Sequence, residues 1–426
     1  MTIAGVIAEY NPFHNGHEYM IQKVKEETGA DYVIAVMSGD FTQRGIPGIA
    51  DKHTRAKMAV SCGADAVFEL PVRFATAGAE QFATGGVALF DALSCVDYLA
   101  FGSECGNLSD FSKAAELLLT EPEEFKDAIQ KNLRQGYSYP KSFSLAIKES
   151  GNEAAVSSGL LESPNNLLGL EYMKAIKKIA SSLKPHTILR TGTGYHDTHA
   201  SFSKDSGTLI ASASAIRSAL TKDTGTIALA QPLLPADAYR VFAESYGVTA
   251  PITLDDFSLL LSTRIAAETK ESLATFLDVP KELADRIYNF RDEFKAFTEL
   301  IETIKHKQFT YARINRALLH ILLGLRENSA EKPANSESTS TPLIPYARLL
   351  AMKKSASPLM KEIKEHSQIP VITKPAEVRK VLTDTALTMF LEDIAAADLY
   401  NRMVASKFST PFLTDMKRSI ELDFID

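Results

Sequence analysis

In the stretch IAEYNPFHNGHEYM, residues 7–20, two histidines, His14 and His17, stand three apart with Gly16 between them, directly after an apolar run. Imidazoles at i and i+3 of a helix share one face. From there both can donate hydrogen bonds to the oxygens of a triphosphate, whose charge grows during displacement at phosphorus. This is electrostatic catalysis and needs no attack by histidine. A helix beginning near Asn15 would also aim free backbone N–H groups and its positive dipole end at an anion. Gly16, lacking a Cβ, would let a nucleotide approach the backbone closely. The plainer alternative is a polar loop that runs into a helix start. Position favours the chemistry, because open parallel sheets bind ligands beyond the carboxyl ends of their strands.

The elements that must hold these groups are read from periodicity. Apolar runs at 3–8, 32–36, 65–70 and 96–102 alternate with helix-like segments at 15–28, 51–62 and 78–93. That alternation predicts βαβ units, hence a parallel sheet covered by helices. Segments 108–119, 123–134 and 140–149 read as consecutive helices, an insertion around 108–150. A helix over 164–180, a strand over 186–192 and a helix over 211–220 then close a first domain, taken as 1–222. Beyond it, segments 253–268, 281–292, 310–326 and 384–404 carry apolar stripes of helical period, so 223–426 is expected to be mainly helical. Residues 327–345 are rich in Ser, Thr, Asn and Pro and lack large apolar residues until Leu343; a flexible loop is expected there. No internal repeat is found.

Composition bounds the partners. The 426 residues are 45% hydrophobic and 23% charged, ordinary for a globular chain with two or three domains. A net charge of −7 argues against coating nucleic acid by global charge but leaves room for local basic surface. Three cysteines, Cys62, Cys95 and Cys105, lack zinc or disulfide spacing. Without a basic signal region or an 18-residue apolar span, a cytoplasmic location is expected, with no membrane contact.

The His-x-Gly-His turn after the first strand resembles the nucleotidyltransferase superfamily that includes class I aminoacyl-tRNA synthetases and small adenylyltransferases. SASAIR, residues 212–217, looks like a degenerate form of its second motif, Ile-Ser-Ser-Thr-x-x-Arg. Ser214 and Arg217 at a helix start suit β- and γ-phosphates as pyrophosphate leaves. Ser212 and Ser214 are not adjacent, a departure from the wider pattern. A closer resemblance spans most of the chain: GVIAEYNPFHNGHEYMIQKVKE, VMSGDFTQRGIPGIADKHTRAKMAVSCGADAVFELP, FGSECG, SPNNLLGLEY and YHD are similar to the bacterial tRNA(Met) cytidine acetate ligase family.

This resemblance implies an α/β fold, a Rossmann-like nucleotidyltransferase parallel sheet with helices on both faces, followed by a mainly helical C-terminal region. It implies that ATP and acetate give acetyl-adenylate, and that the acetyl group passes to N4 of the wobble cytidine of elongator tRNA(Met). It also implies ATP contacts at Ile7, Ala8, Glu9, Tyr10, Asn11, Pro12, Phe13, His14, Asn15, Gly16, His17, Glu18, Tyr19 and Met20, and at Gly102, Asn165 and Arg190. His14, His17, Ser214 and Arg217 are the expected catalytic groups. Mg²⁺ is expected to bridge the phosphates, although no carboxylate pair announces its ligands. Asp40 and Glu104 are candidates; Asp40 can equally cap a loop, and Glu104 can face solvent. Arg44 can hold a phosphate or pair with Asp40, and Lys23 and Lys25 read as solvated helix-face residues.

An acidic protein that uses tRNA needs a basic surface, and residues 303–326 supply Lys305, Lys307, Arg313, Arg316 and Arg326 with no acidic residue between. Phe309 and Tyr311 are interleaved and can stack on unpaired bases. The alternative is an amphipathic helix whose Leu318, Leu319, Leu322 and Leu323 form core; both can hold. Residues 341–380 add Arg348, Lys353, Lys354, Lys361, Lys364, Lys374, Arg379 and Lys380 against Glu362, Glu365 and Glu377. Of these, Lys353 and Lys354 join Lys305, Lys307, Arg313 and Arg316 as tRNA candidates, while MKKSAS (352–357) is a chance likeness to the synthetase motif Lys-Met-Ser-Lys-Ser. Two other functions compete: a small-molecule adenylyltransferase of the dinucleotide-cofactor type, and an inactive nucleotide-binding module serving as an RNA scaffold. The two hundred residues beyond SASAIR exceed what a minimal adenylyltransferase needs, and an inactive module has no reason to keep both imidazoles. No protein partner is implied.

Overall fold

Short runs of Val, Ile and Ala without polar alternation bury both faces, as strands of a parallel sheet must. The structure, a computed structural model, describes residues 1–135, 137, 139–149, 160–161, 163–190, 201–202, 209–222, 225–327 and 342–423. Strands β1 (Ile3–Ala8), β2 (Tyr32–Ser38), β3 (Ala66–Leu70), β4 (Tyr98–Ser103) and β5 (Lys184–Leu189) lie parallel in the order β3-β2-β1-β4-β5. The order reverses around β1, so the crevice beyond its carboxyl end is the topological switch point. The fifth strand begins two residues earlier than expected, and the tail of the expected segment, 191–192, lies outside the described residues, as does the YHD motif.

Helices α1 (Asn15–Thr28) and α2 (Lys52–Ser61) follow β1 and β2. The short α3 (Val72–Ala75) and then α4 (Ala79–Leu93) follow β3. The insertion holds α5 (Leu108–Thr120), α6 (Glu123–Arg134) and α7 (Tyr139–Glu149), after which α8 (Pro164–Ile179) returns to β5. One core joins α4 and α8 through Phe82, Leu89, Phe101, Leu170 and Tyr172. A second, with Phe13, Ile21, Val33 and Met58, lies under α1 and α2. A hairpin of β6 (Ser201–Phe202) and β7 (Leu209–Ile210) precedes α9 (Ala213–Leu220).

Past residue 225 come α10 (Ala236–Ser245), α11 (Ser258–Ala266), α12 (Lys270–Leu273), α13 (Lys281–Asn289), α14 (Phe297–Ile304) and α15 (Tyr311–Leu323). Most of the loop expected at 327–345 lies outside the described residues. β8 (Ala347–Lys353) then pairs antiparallel with β3, and β9 (Val371–Ile372) and β10 (Glu421–Asp423) pair with β8, either side of α16 (Ser357–His366) and the long α17 (Asp384–Phe408). Residues 341–380 are thus not a purely helical basic patch. ARLLAMK is a strand buried along nearly its whole length, because it lies between β3 and β10. The helices of 252–325 share a third core with Tyr400 and Val404 of α17 and with Phe41 and Val72 from the first part of the chain. Tyr400 Oη donates to Gly48 O at 2.9 Å, tying α17 to the loop after β2.

Candidate active site

His14 is the N-cap of α1, and its Nδ1 accepts the Gly16 N–H at 3.1 Å. Reciprocally, His17 Nδ1 accepts the His14 N–H at 3.2 Å. Two imidazoles thereby form a capping box, a role usually taken by Ser or Thr with Glu or Gln. The rings stack with centroids 3.7 Å apart. Since each Nδ1 is an acceptor, the proton of each neutral ring sits on Nε2. Burial first, then the Arg190 and Arg217 guanidiniums, push the His14 pKa down to about 3. Burial, then His14 and Arg190, hold His17 well below the usual imidazole range. At neutral pH the pair is therefore uncharged and offers two Nε2–H donors. Two expectations change here. The Gly16 N–H is taken by His14 and is not free for an anion. A Cβ at Gly16 would meet His14 Cε1 at 3.1 Å, so the glycine makes room for the imidazole.

Both histidines line a cavity of ≈ 240 Å³ at the switch point. From the first motif Ile7, Ala8, Glu9, Tyr10, Asn11 and Met20 line it as well; Pro12, Phe13, Asn15, Gly16, Glu18 and Tyr19 do not. Phe13 is fully buried in the core, and Asn15 Nδ2 donates to Leu209 O at 2.8 Å and Pro232 O at 3.1 Å. These side chains build the turn instead of facing its ligand. Gly102, Asn165 and Arg190 all line the cavity. A Cβ at Gly102 would lie 3.2 Å from Arg190 Cγ, so that glycine clears the path of the arginine.

The second motif arrives from the opposite wall. Ser212 caps α9, its Oγ accepting the Ala215 N–H at 3.2 Å and lying 3.3 Å from Ser214 Oγ. Arg217 Nη1 donates to Asn11 O at 2.7 Å, which ties the two motifs together. Burial lowers the Arg217 pKa to about 10, so it keeps its charge at neutral pH. Ser212, Ser214, Arg217 and Arg44 line the cavity with the groups above, and among the described residues Glu9 is its only lining carboxylate. Three guanidiniums, two imidazole donors and two hydroxyls around one space suit a polyanion.

Of its two expected places, Asp40 takes the capping one. It is buried, its Oδ1 accepts the Lys52 N–H at 2.7 Å, and burial raises its pKa to about 6. It does not line the cavity. Glu104 Oε1 accepts from Asn165 Nδ2 at 2.6 Å, so it orients that residue. The apolar lining residues Phe82, Phe101, Leu168 and Tyr172 were not singled out in the sequence, although Phe101 opens FGSECG and Leu168 and Tyr172 lie in SPNNLLGLEY; their convergence from α4, β4 and α8 reveals them.

The basic candidates divide. α15 packs on the loop after β2: a Cβ at Gly45 would lie 2.3 Å from the Arg316 backbone N, beside the cavity-lining Gln43 and Arg44. Arg316 pairs with Asp278 at 3.1 Å, and Lys305 Nζ donates to the carbonyls of His306 and Phe309. Lys307 is exposed, and the Arg313 guanidinium lies 5.4 Å from the Phe309 ring centroid. Phe309 is a core residue, 6% exposed, and cannot stack on a base; Tyr311 is exposed. Lys353 and Lys354 end β8 where Met352 pairs with Ala66, the first residue of β3. They lie at the end of the sheet opposite the cavity. Arg348 is fully buried.

A His-x-Gly-His turn at the head of a parallel sheet, faced by arginines and serines across one cavity, defines a nucleotidyltransferase. The HIGH Nucleotidyl Transferase family matches residues 1–412. The chain is 38% identical over 405 residues to the tRNA(Met) cytidine acetate ligase of Caldanaerobacter subterraneus subsp. tengcongensis, covering 94% of this chain and 95% of the relative. To that of Acetivibrio thermocellus it is 36% identical over 406 residues, 94% of each chain. The crystal structure of Thermotoga maritima TmcAL in its apo form I superposes with a TM-score of 0.87 at 27% identity over 99% of both chains, and that bound with alpha-thio ATP with 0.85. The chain thus belongs to the HIGH nucleotidyl transferases and, among them, to the tRNA(Met) cytidine acetate ligase family.

Proposed function

We propose that this protein activates acetate with ATP as acetyl-adenylate and transfers the acetyl group to N4 of the wobble cytidine of elongator tRNA(Met), forming N4-acetylcytidine. The observation that carries the reading is the pair of neutral imidazoles, whose Nε2–H donors share one cavity with three arginines and a serine-capped helix. Acetate is a poor electrophile. In the first step a carboxylate oxygen bonds to the α-phosphorus and the bond to the bridging oxygen breaks, releasing pyrophosphate. His14 and His17 donate to phosphate oxygens as charge accumulates, while Ser214 and Arg217 hold the departing pyrophosphate and Arg190 lies alongside. In the second step N4 of cytidine bonds to the acetyl carbon and AMP leaves.

Mg²⁺, when bound, would neutralise the phosphates. Among the described residues no three His, Cys, Asp or Glu side chains converge as a metal site. A Mg²⁺ ion held chiefly by phosphates and water needs only one or two carboxylates, and among the described residues Glu9 is the one that lines the cavity. We assign nucleotide chemistry to residues 1–222 and tRNA docking to 223–426, with Lys307, Arg313 and Tyr311, on and just before the helix that packs against the loop after β2, as the face that meets the anticodon loop. No described helix is long and apolar enough to cross a membrane, and we place the reaction in the cytoplasm. The test is incubation with ATP, Mg²⁺ and radiolabelled acetate, with and without total tRNA. Label enters acetyl-adenylate without tRNA and RNA when tRNA is present; absence of acetate-dependent adenylate overturns the reading.

A further inference from the structure

The cavity has one apolar side. Ile7 of β1, Phe82 of α4, Phe101 of β4 and Leu168 and Tyr172 of α8 line it from the face of the sheet that α4 and α8 cover. This wall cannot recede. A Cβ at Gly86 of α4 would sit 2.4 Å from Ile7 Cδ1, and one at Gly169 of α8 would sit 2.6 Å from Phe101 Cε2. Helix backbone thus stands directly behind both side chains.

Within this wall Tyr172 is anomalous. It is 3% exposed, its ring centroid lies 5.8 Å from that of Phe101, and its buried hydroxyl has no hydrogen-bond partner among the described residues. Buried tyrosine hydroxyls normally find a partner, and leaving one unmet is costly. Phenylalanine would pack as well without that cost. Burial, helped by the negative charge of Glu9, raises the Tyr172 pKa, so the group is a donor. A lone donor in an apolar recess, within a cavity whose polar lining holds three arginines and the Glu9 carboxylate, complements a ligand with an anionic oxygen at one end and a small apolar group at the other.

We propose that Tyr172 and the wall of Ile7, Phe82, Phe101 and Leu168 form the acyl subsite. This rests on the acetate-ligase reading above. Tyr172 Oη donates to the carboxylate oxygen that remains as the carbonyl oxygen. The other oxygen forms the bond to the α-phosphorus as the bond to the pyrophosphate oxygen breaks and its electron pair leaves with pyrophosphate. Tyrosine keeps its proton throughout. The methyl group rests against the wall, whose fixed depth excludes longer chains.

The experiment measures acetate-dependent pyrophosphate release by the full chain. Tyr172→Phe keeps the ring packed on Phe101, and loss of a hydrogen bond to a charged group corresponds to about a 10- to 100-fold rise in KM for acetate, with KM for ATP held within about twofold. An unchanged acetate KM overturns the proposal, and so does an equal rise in both constants, which would place Tyr172 against the nucleotide. Phe82→Ala deepens the recess, and the ratio of propionate to acetate kcat/KM should rise about 10-fold. Leu168→Ala replaces it if ATP binding shows that Phe82→Ala is misfolded; an unchanged ratio in a folded variant refutes the size limit. Wild type that releases no pyrophosphate with acetate overturns the ligase reading itself. Active wild type with indifferent variants overturns the subsite alone.

Discussion

Two buried polar clusters lie within the same fold, and they handle charge in opposite ways. Behind the loop after β2, Lys52 Nζ contacts Glu69 Oε1 and Asp415 Oδ2, each at 2.7 Å, while Arg348 Nη1 reaches Asp415 Oδ2 at 2.6 Å and Glu69 Oε2 at 3.1 Å. His53 Nε2 adds a contact to Asp415 Oδ1 at 3.1 Å. Two cations meet two carboxylates, and every member is nearly sealed from water. The network joins α2, β3, β8 and the turn at Asp415, so it clamps the last part of the chain to the nucleotide-binding sheet. Around the cavity, Arg44, Arg190 and Arg217 outnumber the carboxylates that face them among the described residues, Glu9 in the lining and Glu104 at 3.9 Å from Arg190. Charge balanced inside the protein holds chain segments together; unbalanced charge around a cavity is a site for an anion.

The largest expected effect breaks the balanced cluster. Lys52→Met leaves Glu69 and Asp415 with an uncompensated buried charge, and removing one partner of such a pair costs about 3–5 kcal/mol. A urea denaturation midpoint that does not move would show the network to be dispensable. The cavity should respond the other way. His17→Ala should lower kcat for adenylation by about 10²–10³ while the denaturation midpoint falls far less than for Lys52→Met. A variant with wild-type kcat removes His17 from the chemistry.

Smaller effects sharpen the contrast. Charge reversal at Lys307 and Arg313 should weaken tRNA binding at low salt and flatten its salt dependence, with log Kd against log salt losing a slope of about 1 per lost contact. A variant that changes only stability assigns those residues to structure. Acid titration reports on the imidazoles. In the unfolded chain both bind protons near pH 6.5, whereas folded His14 does so only at about 3. The unfolded state therefore holds more protons as pH falls from about 6.5 toward 3, and this pair contributes stability that is lost over that window. By NMR the His14 and His17 ring signals should stay fixed from pH 8 to 5; titration of either near 6.5 would show the rings open to solvent.

Much of the site was legible because its backbone geometry is local. His14, Gly16 and His17 lie within one turn, so the face they present follows from spacing, whereas the reciprocal caps that occupy the Gly16 and His14 N–H groups were not read from it. The arginine-bearing SASAIR helix start was legible for the same reason. Tyr172 was not, since LGLEYMKAI reads as an amphipathic helix, and a tyrosine hydroxyl without a partner leaves no trace in periodicity. In the basic segment at 341–380 charge was legible and burial was not: Arg348 is interior, and Lys353 and Lys354 lie at the far end of the sheet from the cavity. Phe309 was read as surface because it falls between cations, yet it belongs to the helical core.

By itself the sequence determined the alternating α/β pattern, the strand after which the histidines fall, and the nucleotidyltransferase class to which the chain belongs. These depend on contacts within a few residues, where residue type and period are sufficient. Tertiary structure decided which cations face a ligand, which are consumed in a buried network, and that a strand from residue 347 onward completes the first sheet. It also decided the depth of the apolar recess. Those properties depend on segments far apart in the chain, and only packing settles whether a given side chain ends in water, against a counter-charge, or in a cavity.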